Sequence, residues 1–457
     1  YEASLAFKRQ QVQDLLRRVG GLSIEVPPVW GMAHPFGYRN KGAYPVAQTD
    51  GAPACGFFAP RSHDLIPLPE GGCAIQGKAS AKAAQAVLNW MRENSVPAYD
   101  EQTGRGLVRH IMTRSTTSGE LMVVVVVTRA DIPKASRLIE LLRAAVPGLC
   151  SVCLSVNSRR TNVILGTDIR VLWGKAAMED TLCGLRFSVS PLSFFQVNPQ
   201  QTERLYGLAL EYAGLTGAET VVDAYCGAGT ISLLLAQKAK KVIGIEIVPE
   251  AIQNANENAT RNGIANAEFH VGATEELLPK LVENGLRPDV IVLDPPRKGC
   301  DPAVLQAIIA AAPKRVVYVS CGAPTLARDA KLLTEGGYAA EKVQCVDMFC
   351  WTGAVETVMS LVQQKPDDIV KVGIDADKLA VTKAESKATY GEIQARVKEQ
   401  TGLNVTPLYI AQVKRKHGII ERECYNKAKS ESAKMLICPP DKEKAIEDAL
   451  RFFGMIA

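Results

Sequence analysis

From Thr220 onward, short apolar runs that end in polar residues alternate with amphipathic stretches. Thr220–Ala224, Val242–Glu246, Val290–Leu293 and Val316–Val319 are rich in β-branched residues and lack polar alternation, so they predict strands buried on both faces. Thr230–Lys238 and Pro249–Asn262 between them carry helical periodicity. Regular alternation of this kind predicts an α/β fold with a doubly wound parallel sheet, which binds ligands at the carboxyl ends of its strands. Asp223, Glu246, Asp294 and Ser320-Cys321 all fall at such ends.

Before Thr220 the pattern is different. Leu5, Val12, Leu15 and Leu16 among Lys and Arg predict a short amphipathic helix over Tyr1–Arg18, stopped by Gly20-Gly21. Gly31–Pro69, dense in Gly, Pro and aromatics, predicts short strands and turns. Arg39, Lys41, Arg61 and His63 in that stretch could face phosphates or form an ordinary solvated surface. Lys78–Met91 predicts a helix, and Gly106–Arg114, Leu121–Thr128, Lys134–Ala145 and Cys150–Val156 then follow as strand, strand, helix, strand, a small α+β unit. Arg105, Arg109, Arg114, Arg159 and Arg160 are spread across it, as a positive face or for solubility. At the other end, Ser386–Gln400 and Pro407–Lys416 have helical periodicity, and VKRKHG (Val413–Gly418) gathers basic side chains.

Composition narrows the class. With 457 residues, 47% hydrophobic and 22% charged, the chain fits an ordinary globular protein of two or three domains. No apolar run approaches the roughly eighteen residues of a membrane span, and Val123–Val127 reads as a buried strand. No membrane partner is expected. The formal charge of +5 permits a nucleic-acid partner without requiring one. Twelve cysteines are scattered without a disulfide-framework spacing, which favours a reducing cytoplasm. Cys73 has no CxxC nearby, so the residues present do not build a metal site around it.

The strand ends carry the candidate chemistry. VVDAYCGAGTISL (Val221–Leu233) is a strand, an acid and a turn in which Gly227 and Gly229 allow close backbone approach to a ligand. Glu246 ends the next strand, where a carboxylate can take both hydroxyls of a ribose. No third glycine completes the dinucleotide fingerprint, so S-adenosylmethionine is expected rather than NAD. In DPPRKG (Asp294–Gly299) two successive prolines stiffen a lip beside a planar substrate. Asp294 could touch the methyl donor, and Arg297 and Lys298 could anchor a phosphate or a base. Cys321, after VVYVS, is a candidate nucleophile or an inert core thiol.

SFFQVN (Ser193–Asn198), DAYCGAGT, GIEI, DPPRKG and the Cys321 strand, followed by VDMFCWTGAVETVMSL, resemble in this order the RNA 5-methyluridine methyltransferase family, of the bacterial 23S rRNA (uracil-5-)-methyltransferase type. The resemblance runs from near the start to about Leu361. It implies a Rossmann-like methyltransferase domain that uses S-adenosylmethionine, with Gln196, Tyr225, Glu246 and Asp294 contacting the methyl donor and Gly227, Gly229 and Thr230 in the same pocket. It also implies Cys321 as nucleophile and Glu356 as general base. The expected organisation is an N-terminal region (1–85), a central α+β RNA-binding domain (86–184), the methyltransferase domain (185–364) and a small appended helical module (365–457) joined at Lys365-Pro366-Asp367-Asp368.

By the same resemblance the partner is RNA, 23S rRNA before tRNA, with no DNA, and the protein is expected to be a monomer. Gly322 and Ala354 depart from the family, which usually has Asn or Asp at the first position and His at the second. Many members bind a [4Fe-4S] cluster through an N-terminal cysteine set whose fourth ligand Cys73 resembles. The other three would precede Tyr1, so the cluster is expected only in a longer chain. Two competitors remain: methylation of an exocyclic nitrogen, which needs no thiolate, and a non-catalytic RNA-binding or ribosome-assembly protein on the same fold. The 365–457 module is expected to contact RNA or protein, or to be a structural appendage.

Overall fold

A computed structural model describes residues 1–364, 388–417, 438–453 and 455–456. The chain divides into two compact units, Tyr1–Ile369 and Val370–Ala457. The expected joint at Lys365–Asp368, the start of the predicted helix at Ser386 and the end of VKRKHG at Gly418 lie outside the described residues.

The first unit opens with α1 (Glu2–Arg18), then β1 (Lys41–Thr49), β2 (Ala52–Phe58), β3 (Leu65–Pro67), α2 (Lys78–Glu93), β4 (Val108–Ser115), β5 (Leu121–Val127), α3 (Ala135–Ala145), β6 (Leu149–Val156) and β7 (Asp168–Gly174). The seven strands form one sheet in the order β3-β2-β1-β4-β5-β6-β7. Only β5 and β6 are parallel, because α3 crosses between them. β5 is LMVVVVV and is buried on both sides. Val123, Val125 and Val127 pack with Trp90 and Leu138 of α2 and α3, while Met122 and Val124 pack on the opposite face with Met112 and Met178. A boundary at 85/86 does not survive: it falls inside α2, and β1 before it pairs with β4 after it. Nor do the five arginines make one exposed face. Arg109 and Arg114 are buried, Arg109 donating to the carbonyls of Asn157 and Arg159, and Arg114 to those of Pro191 and Ser193.

The hairpin β8 (Met178–Leu182) and β9 (Leu185–Val189) turns through Cys183 and Gly184, both with positive φ, so the expected boundary at 184/185 would separate two strands that pair with each other. Next come α4 (Pro199–Ala213), β10 (Thr220–Asp223), α5 (Thr230–Ala236), β11 (Lys241–Glu246), α6 (Pro249–Arg261), β12 (Ala267–Val271), α7 (Thr274–Glu283), β13 (Val290–Leu293), α8 (Pro302–Ala311), β14 (Arg315–Ser320), α9 (Ala323–Glu335), β15 (Tyr338–Val346) and β16 (Glu356–Gln363). The sheet order is β12-β11-β10-β13-β14-β16-β15. The first five strands are parallel, as the alternating pattern predicts, and β16 enters antiparallel between β14 and β15. This is a Rossmann-like α/β fold with helices on both faces. Val222, Ile291, Val316 and Tyr318 pack under α8, α9 and α1, whereas Val221, Val292, Val317 and Val319 pack under α4 and α5.

Helix α1 thus belongs to the second sheet rather than to the N-terminal one. Its Lys8 is fully buried and donates to Asp347 Oδ1 at 2.5 Å and to the Phe349 carbonyl at 3.1 Å, and the Tyr1 hydroxyl donates to the other oxygen of Asp347. In the second unit, α10 (Tyr390–Thr401), α11 (Pro407–Lys416) and α12 (Pro440–Phe452) enclose a small core of Ile393, Val397, Ile410, Val413, Ile446 and Leu450. Thr389 and Glu392 form a capping box at the start of α10. Lys416 and His417 bond Glu443 and Glu447 of α12, so much of the basic run is tied internally. Among the described residues no helix is long and apolar enough to cross a membrane.

Removing one partner of a buried ion pair leaves the other charge without compensation. Lys8→Met is therefore expected to lower stability by roughly 3–5 kcal/mol in a urea titration, and a midpoint equal to that of the parent would refute the buried Lys8–Asp347 contact.

Candidate active site

The parallel strands bring their carboxyl ends to one edge of the sheet. Asp223 closes β10, Glu246 closes β11, Asp294 follows Leu293 of β13, and Cys321 follows Ser320 of β14. The antiparallel strand completes the group. Thr357 lies opposite Ser320, so one position further along the ladder Glu356 and Cys321 come to the same level.

A cavity of about 920 Å³ opens there, lined by Gln196, Tyr225, Gly227, Thr230, Glu246, Asp294, Cys321 and Glu356. Nearly every site residue expected from the sequence is brought together, and two stand apart. Gly229 caps α5 at φ +82°, where an added Cβ would sit 3.1 Å from that of Ala255 and 3.2 Å from the Phe269 ring. It shapes the turn from behind. Cys73 lies in a separate, half-exposed turn in which its carbonyl accepts from the Gln76 N–H at 3.0 Å. Among the described residues no three His, Cys, Asp or Glu side chains are grouped to hold a metal ion.

The turn is fixed by hydrogen bonds. Glu246 accepts from the Gly227 N–H at 3.2 Å and the Val248 N–H at 2.9 Å, which holds its half-exposed carboxylate in one orientation. The Ser232 hydroxyl donates to Asp223 Oδ2 at 2.6 Å, and Oδ1 is buried without a partner among the described residues. The DPPRKG lip is clamped from α9. Asp329, fully buried, accepts from the Cys300 N–H at 2.8 Å and the Tyr318 hydroxyl at 2.7 Å, while Arg328 donates to the Lys298 and Cys300 carbonyls.

Electrostatically the cavity is acidic. Glu246, Glu250, Glu275, Asp294, Asp301 and Glu356 line it against only Arg297 and Lys298. Burial, and then the charge of Asp223, pushes Asp294 up to about 7. Burial, then Asp294, pushes Glu356 up to about 8, with Arg297 opposing. The Cys321 thiol is raised by burial, then by Glu356 and Asp294, and Arg297 again opposes. Such a lining suits a cationic ligand and disfavours a pyrophosphate. S-adenosylmethionine fits these residues: it carries a sulfonium and an ammonium for the acidic wall and a ribose diol for the fixed Glu246 carboxylate. The cavity volume lies within the usual range of cofactor sites, about 300–1,000 Å³.

Comparison with known proteins agrees with this geometry. A family model described as "Methyltransferase domain" matches residues 215–323, the segment that carries four of the strand ends. An uncharacterized RNA methyltransferase of Halalkalibacterium halodurans is 48% identical over 363 residues, 79% of this chain and 79% of that protein. One of Listeria innocua is 48% identical over 362 residues with the same coverage. The chain belongs to the RNA methyltransferases. Among solved structures, the Pyrococcus abyssi tRNA (uracil-54, C5)-methyltransferase in complex with S-adenosyl-L-homocysteine matches with a TM-score of 0.66 and 27% identity, over 79% of this chain and 83% of that one. This RNA methyltransferase is accordingly S-adenosylmethionine-dependent, and its substrate is RNA.

Some parts of the methyltransferase site were not anticipated. Phe194, inside SFFQVN, lines the cavity while 77% exposed, next to a buried Phe195. The signal was two adjacent aromatics at a place where only one can face the core. Asp329 carries no motif of its own, and its role emerges only from its contacts. Gly322, a departure from the family pattern, sits where an added Cβ would lie 2.8 Å from Thr325 Oγ1 and 3.3 Å from the Arg297 carbonyl, so the lip closes against it.

The raised Glu356 gives a stability test. A carboxyl group raised in the folded state above its unfolded value contributes stability that is present below about pH 4.5 and is lost as pH rises through about 8. Glu356→Gln, which cannot ionise, should gain in Tm relative to the parent by a few degrees between pH 5 and pH 9. A Tm difference that does not change with pH would contradict the burial of an ionisable group there.

Proposed function

We propose that this RNA methyltransferase acts on C5 of a uridine, with Cys321 as the nucleophile and Glu356 as the base. The observation that carries this reading is the β14–β16 register, which sets the thiol and the carboxyl at one level in an acidic, donor-sized cavity. An exocyclic-nitrogen methyltransferase would have no use for that pair.

Uracil C5 is a weak nucleophile. Cys321 Sγ adds to C6, and the electrons of the C5=C6 bond move onto C5 and O4. S-adenosylmethionine, when bound, supplies the electrophilic methyl group for that carbon. C5 then holds both the methyl group and its original proton. Glu356 takes the proton, the C–H electrons restore the C5=C6 bond, and the S–C6 bond breaks to release the thiolate. A base raised towards neutrality is a stronger proton acceptor than an ordinary carboxylate, and Arg297 supports the thiolate against its acidic neighbours. In this reading Gln196, Tyr225, Gly227, Thr230, Glu246 and Asp294 hold the methyl donor, and exposed Phe194 offers a stacking face to the incoming base. The uridine has to leave its stack to reach Cys321.

The substrate proposed is 23S rRNA, on the family resemblance. A second reading, the tRNA T-loop, is favoured by the match to the Pyrococcus abyssi tRNA methyltransferase.

Unmodified bacterial rRNA and tRNA, with and without 5-fluorouridine, separate these possibilities when incubated with the methyl donor and analysed by nucleoside mass spectrometry and denaturing gels. 5-Methyluridine is expected in one RNA, together with a gel-stable complex on the fluorinated form, since fluorine at C5 leaves no proton to remove. Both should disappear in Cys321→Ala. Methylation elsewhere without a covalent complex would refute the uracil-C5 proposal, and binding without product would favour a non-catalytic role. Glu356→Gln should instead stall after methylation and accumulate the covalent complex on ordinary uridine RNA. Turnover within about tenfold of the parent, less than the usual contribution of a general base, would assign the proton to another group.

A further inference from the structure

The acidic cavity raises a problem that the catalytic residues leave unsolved: the RNA that must enter it is a polyanion. Cations that could receive the strand have to lie outside the pocket yet be fixed to it. The Arg39–Lys41 segment meets both conditions. The Asn40 N–H donates to the Val197 carbonyl at 2.9 Å and its side-chain amide to the Gln196 carbonyl at 2.9 Å, so this segment is laced to the SFFQVN stretch whose Gln196 lines the cavity. On its other side the Arg39 N–H bonds the Ile75 carbonyl and Lys41 begins β1, paired with Arg114 of β4. Tyr38 donates its hydroxyl to the Cys350 carbonyl at 3.1 Å. The segment is therefore held from three directions.

Its charges are not neutralised. Among the described residues neither Arg39 nor Lys41 has an acidic side chain within ion-pair distance, although both are only partly exposed. Arg114 adjoins them, but its guanidinium is committed to the Pro191 and Ser193 carbonyls at the edge of the cavity. Burial, followed by the charges of Arg114 and Arg39, lowers Lys41 to about 8. Clustered cations held without a counter-charge are unfavourable in the free protein, and an anion relieves that cost on binding. Further along the segment Phe36 is 58% exposed and stacks on Trp351 at 5.2 Å, offering an aromatic face beside the cations.

We propose that Arg39 and Lys41 form a phosphate-binding rim that grips the RNA backbone beside the nucleotide entering the cavity. The ligand class is a phosphodiester of RNA. The proposal rests on membership in the RNA methyltransferases and is independent of which base atom is methylated.

Its test is read by binding rather than turnover, which separates it from the uracil-C5 reading. The full chain is titrated with a uridine-containing RNA hairpin between about 50 and 200 mM KCl, where phosphate contacts dominate the salt dependence. Arg39→Gln/Lys41→Gln is expected to weaken binding about tenfold or more and to reduce the log–log salt slope by about one to two. S-adenosylhomocysteine affinity should be unchanged, and Lys41→Arg should keep the parent slope. Lys314→Gln is the charge control, 80% exposed at the amino end of β14, and should move neither quantity. Hairpins with methylphosphonate linkages flanking the uridine give a readout on the unaltered protein. They should weaken the parent and add little to the double variant. A parent-like slope in the double variant, loss of S-adenosylhomocysteine binding in parallel with RNA, or equal sensitivity of parent and variant to the neutral linkages would each overturn the proposal.

Discussion

The antiparallel insertion of β16 is the constraint on which the site depends. Five parallel strands alone would present Asp223, Glu246, Asp294 and Cys321 at one edge, enough to bind a nucleoside cofactor but with no side chain facing the thiol from the other direction. Because β16 runs the opposite way, its first residue rather than its last reaches that edge, and the first residue is Glu356. A shift of register by one position would turn Glu356 to the other face of the sheet. Several buried contacts fix this end of the sheet, including the pairing of Val346 with Glu356 and the hold of Lys8 and Tyr1 on Asp347. The catalytic geometry proposed here is thus a property of the strand ladder and of the helix that locks it.

Two reactants of opposite charge explain the electrostatic layout. The methyl donor is a cation and meets a cavity lined by carboxyl groups, whereas the RNA is a polyanion that, in the proposed reaction, enters it with only one base. Separating the two requires a change of sign, from carboxylates such as Glu246, Glu250 and Glu275 that line the cavity to the Arg39–Lys41 segment proposed to meet the phosphates, whose cations have no acidic partner among the described residues. The hydrogen bonds from Asn40 to Gln196 and Val197 join the two zones mechanically. The N-terminal sheet is in this sense tied to the active site, since the residue before β1 bonds the stretch whose Gln196 lines the cavity.

Much of this was legible in the chain. The apolar runs between Thr220 and Ser320 have no polar alternation, and a strand buried on both faces leaves little other choice; the motifs at their ends then place themselves. Elements specified by distant partners were harder to read. β15 and β16 are an edge pair whose order depends on which strand reaches β14 first, and β7 is an edge strand that stays largely exposed despite its apolar residues. The expected boundary within α2 failed because a change in composition does not reveal that β1 and β4 pair across it. Arg109 and Arg114 show the same limit: a cation that bonds backbone carbonyls in the interior has no mark in sequence to distinguish it from one on the surface.

The position of β16 also has a consequence in time. It is the last strand of the first unit in sequence and yet the second from the edge in space, so it must slide between two neighbours that were made before it. A ribosome-bound chain ending before Glu356 would display β14 with an open flank and a thiol with no carboxylate opposite. On the mechanism proposed here, chemical competence would therefore arrive in a single step, when the final strand closes that gap, and incomplete chains would carry the proposed nucleophile without the proposed base.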